Sequence, residues 1–220
     1  MRDQNQKIIK FDYEKNYNDN DFFESKSNKH IVDFINRWPK WEKNFVNING
    51  EKSSGKSHLI NIFLKKFGGF YIDSKSLNNL SLKEIKIHQN IVLENLNQKI
   101  NEKLIYTLFN VIDQDNKYLI VTSIEPIVNI KFDLVDLKSR CKNFILQTIL
   151  KPDDDLIFAI ILKNLSDRQI SIDKKLINYV IKRIDRSYSK IFDFIYKIDE
   201  LSLKKKKSIN LKIIKEVLED

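Results

Sequence analysis

The chain has 220 residues, 42% of them hydrophobic, and a formal net charge of +9. That is enough for one α/β domain with a small appendage. A single cysteine, Cys141, excludes internal disulfides and cysteine-type metal sites and fits a reducing compartment. No apolar run reaches the length of a membrane span, and residues 1–10 lack the apolar core of a signal peptide, so a soluble cytoplasmic protein is expected. The positive charge permits an anionic partner such as nucleotide, DNA or an acidic protein surface, and a Lys-rich solvated surface accounts for it equally well.

Residues 1–20 are polar and read as a flexible leader. Within them, Gln6-Lys7-Ile8-Ile9-Lys10-Phe11 has Gln at position one, an aliphatic at four and an aromatic at six. That pattern resembles the short peptide by which bacterial proteins bind the DNA polymerase sliding clamp. Ile9 and Phe11 would fill an apolar pocket and Gln6 would hydrogen-bond in a second one. A short edge strand or a plain tail remains the alternative.

A helix follows, with Ser27 or Asn28 as its N-cap and Ile31, Phe34 and Ile35 as its apolar stripe. It ends at Trp38-Pro39, because proline disfavours helix at the residue before it. Trp38 and Trp41 read as packing residues. Residues 44–49 form a short strand, and residues 58–64 an apolar helix.

Between them lies Gly50-Glu51-Lys52-Ser53-Ser54-Gly55-Lys56-Ser57, the G-x-x-x-x-G-K-S phosphate-binding pattern. The chain has four glycines, and two stand at the two positions the pattern demands. Strand, loop and helix in this order is the context such a loop needs. Glycine lets the backbone turn so that successive N–H groups, including those of Ser53 and Ser54, face phosphate oxygens. The helix N-terminus adds partial positive charge. Lys56 would reach the β/γ-phosphates of ATP or ADP, and the Ser57 hydroxyl would ligate Mg²⁺.

Gly68-Gly69 stops the helix, and residues 70–73 form a second strand. A short helix is expected at 81–87. Residues 90–95 form a buried strand ending in Glu94-Asn95, where a Mg²⁺-holding acid belongs. Asn95 cannot act as a base, so the pair reads as a degenerate Walker B and predicts weak or no intrinsic ATPase. A helix at 101–113 leads to a strand at 118–123, whose Ser123 is a candidate γ-phosphate sensor. A fifth strand is expected at 143–149, and Lys151-Pro152 marks a boundary.

Beyond it the pattern is purely helical. Asp153, Asp154 and Asp155 open one helix, Ser171 caps a second, Ser187 or Ser189 opens a third, and a last spans 211–218. The basic run Lys204 to Lys207 complements the dipole of the third. The expected organisation is a leader at 1–20, an αβα domain at 21–151 with a five-stranded parallel sheet, and a helical lid at 152–220.

This arrangement resembles the AAA+ architecture. Asn28, Arg37-Trp38-Pro39-x-Trp41, Gly55-Lys56-Ser57-His58-Leu59, Leu137-Lys138-Ser139-Arg140 and Ile184-Asp185-Arg186-Ser187 are similar to the DnaA/Hda family, most of all to its alphaproteobacterial Hda-type regulators. The resemblance implies a protein on the sliding clamp that promotes hydrolysis of ATP bound to the initiator DnaA, reaching DNA only through the clamp. It implies Arg140 as an arginine finger acting in trans, Asn28, His58 and Ser189 at the nucleotide, Mg²⁺ on Ser57 and Glu94, and leaves room for a homodimer. It departs from the family at Glu94-Asn95, at Ile124, where initiators place a sensor aspartate, and at Ser189, where the lid's sensor arginine belongs. Arg186 and Lys190 are the cations near enough to stand in. An initiator would need a DNA-binding domain after the lid, a helicase loader an N-terminal domain, and a stand-alone kinase or NTPase an intact base; an initiator-like or helicase-loader-type AAA+ ATPase acting at DNA is the alternative reading.

Overall fold

A computed structural model of the chain describes residues 22–97, 100–205 and 208–219. Gln6, Ile9 and Phe11 of the clamp-like peptide, and Lys206 and Lys207 of the basic run, lie outside the described residues. Five parallel strands, β1 (Phe45–Asn49), β2 (Phe70–Asp73), β3 (Asn90–Leu96), β4 (Tyr118–Ser123) and β5 (Ile145–Thr148), form one sheet in the order β2-β3-β4-β1-β5. Parallel pairing requires crossovers, and these carry α2 (Lys56–Phe67), α3 (Asn79–Ile85), α4 (Glu102–Gln114) and α5 (Val135–Cys141). Helix α1 (Lys29–Asn36) precedes β1.

The inner strands β1, β3 and β4 are buried on both faces, so their alternation shows in their partners and not in exposure. Val46, Ile48, Val92 and Ile120 pack with Ile31 and Phe34 of α1 and Leu59, Ile60 and Phe63 of α2. Ile91, Leu93, Leu119 and Val121 pack with Ile105, Leu108, Phe109 and Ile112 of α4. The expected αβα sandwich with a five-stranded parallel sheet is the observed fold.

Several local expectations shift. Helix α2 starts at Lys56, two residues before the apolar run, because Gly55 takes a left-handed φ of 93° at its N-cap; it runs to Phe67. Helix α3 sits two residues earlier than expected because Asn78 opens it: Asn78 Oδ1 accepts from the Leu80 and Ser81 amides, and Ser81 Oγ accepts from the Asn78 amide. β5 is shorter than 143–149, since Asn143 closes the turn leaving α5 by donating its amide to Arg140 O at 3.0 Å. Neither Ser27 nor Asn28 caps α1 through its side chain.

The C-terminal helices α6 (Asp154–Asp167), α7 (Lys174–Ile181), α8 (Tyr188–Lys205) and α9 (Leu211–Glu219) enclose a separate core built on Ile157, Ile161, Val180, Ile195 and Ile214. Asp153 caps α6 by accepting from the Leu156 amide at 2.9 Å. The cap of α7 is Asp173, whose carboxylate accepts from the Lys175 amide at 2.8 Å, and not Ser171, which lies two residues before it. Leu156 and Tyr188 leave this bundle and pack into the α1/α2 core, which fastens the helices to the sheet. No helix among the described residues is long and apolar enough to cross a membrane.

Candidate functional site

The parallel register brings Asn49 beside Ser123 and Thr148, and Asp73 beside Glu94, along the carboxyl edge of the sheet. Open α/β sheets bind ligands at this edge. The loop leaving β1 is drawn in tightly: the Gly50 amide donates to Ser123 O at 3.2 Å and Ile124 O at 3.1 Å. A Cβ on Gly50 would stand 3.0 Å from Ile149 Cβ and from Ser54 Oγ, so only glycine fits without displacement. Ser53 (φ 66°) and Gly55 (φ 93°) are left-handed, the turn pattern that aims successive N–H groups at one point and creates an anion nest. The mouth of the twelve-residue α2 faces the same loop.

Lys56 is buried and donates Nζ to Gly50 O and Glu51 O, both at 2.7 Å. Burial pulls its pKa below the usual lysine range, opposed by the Glu94 and Glu51 carboxylates. The Ser57 hydroxyl donates to Glu94 Oε1. Tyr71 of β2 donates its hydroxyl to Glu94 Oε2 at 2.5 Å, a contact that the sequence reading missed. A hydroxyl and a carboxylate are hard oxygen donors of the kind Mg²⁺ takes alongside phosphate and water. No group of three or more His, Cys, Asp or Glu is clustered for a metal among the described residues. The cradle, the lysine and this donor pair fit a nucleotide phosphate with Mg²⁺.

The neighbouring groups are occupied differently. Asn95 sits in a β-bulge at φ 61°, with its amide donating to Thr122 Oγ1 at 3.0 Å and its side chain to Asp73 Oδ2 at 2.7 Å. Ser123, expected as a sensor hydroxyl, is 1% exposed, and its Oγ donates to Glu125 O at 2.6 Å and accepts from Asn47 Nδ2 at 2.9 Å. Asn47, wholly buried in β1, also donates to Val121 O and accepts from the Ile127 amide. The signal for it was a polar residue in the middle of the strand Phe-Val-Asn-Ile-Asn.

Ser189 pairs with Ser187 through their hydroxyls at 2.8 Å. Arg186 pairs with Asp154 at 2.7 Å. Asn28 spends its side chain on the backbone of its own loop, accepting from the Ser25 amide and donating to Phe23 O, both at 2.9 Å. His58 meets the edge of Phe22, ring centroids 5.2 Å apart. Cys141 is buried and its thiol is pushed up to about 12, an inert position.

Arg140 lies elsewhere. It stands in the last turn of α5, in a depression lined by Lys43, Asn44, Phe45, Asp113 and Asn143, at the start of β1 and not at its phosphate-loop end. The five residues of β1 put about 16 Å between the two ends, at roughly 3.3 Å per residue. Arg140 is partly exposed, 3.6 Å from Asp113 and over the Tyr106 ring at 5.4 Å.

Residues 153–218 match the family model described as the Hda lid domain. The chain is 24% identical over 230 aligned positions to the chromosomal replication initiator protein DnaA of Buchnera aphidicola, with 93% of this chain covered. It spans about half of that initiator, 53% of its length. Domain III of Thermotoga maritima DnaA superposes with a TM-score of 0.71 at 17% identity, covering 93% of this chain and 96% of that one. AMPPCP-bound DnaA from Aquifex aeolicus superposes at 0.62 with 19% identity, covering 84% and 67%. The chain thus has the fold of DnaA domain III, and its C-terminal helices match the Hda lid domain.

Proposed function

We propose that the chain is a nucleotide-holding regulator of replication initiation that docks on the DNA polymerase sliding clamp and promotes hydrolysis of ATP on the initiator DnaA. The observation that carries this reading is the strand's length between Arg140 and its own phosphate loop. An arginine so placed cannot serve the nucleotide of its own chain, yet stands partly exposed where a second molecule could meet it. A guanidinium brought to a partner's γ-phosphate stabilises the charge that develops there.

The chain's own nucleotide, ADP or ATP, would be held by the loop amides of residues 50–57 and by Lys56. The binding of a nucleotide analogue by the Aquifex initiator supports that reading. Ser57 and Glu94 would hold Mg²⁺, which when bound neutralises phosphate charge. Asn95 offers no base, and Ser123 is engaged within the fold, so this site holds nucleotide more readily than it hydrolyses it. Gln6, Ile9 and Phe11 would dock on the clamp, and DNA would be met through it.

A reconstituted assay with initiator, clamp-loaded DNA and this protein tests the reading. Arg140→Ala should retain clamp binding and lower the stimulated hydrolysis by about 10³-fold. Full stimulation by this variant would remove the role. Replacing Gln6, Ile9 and Phe11 by Ala should abolish capture by the clamp, and unchanged capture would sink the docking claim.

A further inference from the structure

The second residue of the phosphate loop is tied to the helical bundle. Glu51 Oε2 accepts from the Tyr188 amide at 2.7 Å, joining the loop to the first residue of α8 across 137 positions of sequence. The main-chain oxygen of the same Glu51 accepts from Lys56 Nζ at 2.7 Å. Tyr188 itself is 3% exposed, packs beside Leu156 in the α1/α2 core and donates its hydroxyl to Leu150 O at 3.1 Å. Close by, the Ser27 amide donates to Asp153 Oδ2 at 3.3 Å. The bundle is therefore fastened near residues 150–153 and once more, through Glu51, directly to the loop that would receive phosphate.

We infer that Glu51 is a latch: its carboxylate holds the start of α8 on the phosphate loop, and a phosphate bound in that loop loosens it. The inference rests on the nucleotide reading above and adds how occupancy reaches the lid. Two effects act in the same direction. Lys56 must leave the Gly50 and Glu51 carbonyls to meet a phosphate, which frees the backbone of Glu51. A bound diphosphate also sets negative charge beside the Glu51 carboxylate, and like charges at short range in a partly buried site repel. Once the carboxylate withdraws, the Tyr188 amide is an unsatisfied helix-terminal donor, and the first turn of α8 loses its hold on the loop.

Amide exchange at Tyr188, followed by NMR on the full chain with and without Mg²⁺–ADP, tests this, with ADP binding measured in parallel by calorimetry. In the wild type, ADP should speed exchange of the Tyr188 amide by about tenfold, the loss of one charge-assisted hydrogen bond. Glu51→Ala should show that faster exchange without ADP and no further change with it. Glu51→Gln keeps an acceptor without the charge, so its Tyr188 amide should stay protected without ADP, reporting an intact fold, and should respond to ADP less than the wild type. ADP binding with unchanged Tyr188 protection in the wild type overturns the latch and leaves the nucleotide site standing. An ADP response of wild-type size in Glu51→Ala overturns it as well. Absence of ADP binding to the wild type overturns the nucleotide reading, and the latch with it.

Discussion

The two halves of the site at the carboxyl edge of the sheet are built to different standards. On one side, residues 50–57 provide a glycine that only just fits, two left-handed residues, a buried lysine and a helix mouth, all converging on one point. On the other, the groups that would handle a γ-phosphate are turned to internal work: Asn95 to Asp73, Ser123 to Glu125 and Asn47, and Ser189 to Ser187. A site complete for the inner phosphates and occupied elsewhere for the outer one is suited to holding nucleotide. Catalysis requires groups aimed at charge that appears only in the transition state, and Asn95, Ser123 and Ser189 each hold an internal hydrogen bond here.

The contrast can be broken by substitution. The largest effect is expected from Lys56→Ala in the intact half, which should weaken ADP binding by about 100-fold or more, roughly 3 kcal/mol, in a calorimetric titration. A small change would mean that the loop is not the grip. Next, Glu94→Gln should remove the Mg²⁺-dependent part of the affinity, about tenfold, while binding of metal-free ADP changes little; equal losses with and without Mg²⁺ would take the metal from Glu94.

In the other half, Ser123→Ala should lower stability by about 1 kcal/mol, read from denaturant melts, through the bonds to Glu125 and Asn47. It should leave the ratio of ATP to ADP affinity within about twofold. A selective loss of ATP affinity would make Ser123 a sensor and undo the comparison. The smallest effect concerns protons. Burial depresses the pKa of Lys56 in the free chain, and bound phosphate favours its charged form. Binding should therefore take up protons at alkaline pH, and affinity should fall as pH rises through the depressed value. Titrations in buffers of different ionisation enthalpy measure that uptake, and its absence would mean that Lys56 does not meet phosphate.

Much of this was legible in the chain, because its signals are local. Eight consecutive residues spell the phosphate loop, and apolar runs with glycine and proline punctuation mark four strands to within a residue at each end. Caps were less legible: Asp173 replaced Ser171, and Asn78 moved α3, since several polar residues near a helix start compete and packing selects one. The partners of Glu94 and Ser123 were not legible. Tyr71 and Asn47 sit on other strands, and their side chains reach the site only because the parallel register sets them there.

By itself the sequence determined the αβα class, the phosphate loop, the acid at the end of β3 and the helical character of residues 153–218, all properties of short segments and their periodicity. Only the tertiary structure decided that Lys56 rests on its own loop, that Ser123 is buried and bonded, that Glu51 reaches α8, and that Arg140 stands a strand's length from the nucleotide end. Periodicity states which face of a segment is apolar; which groups meet across the sheet depends on strand order and register, and a single chain of letters does not carry those locally.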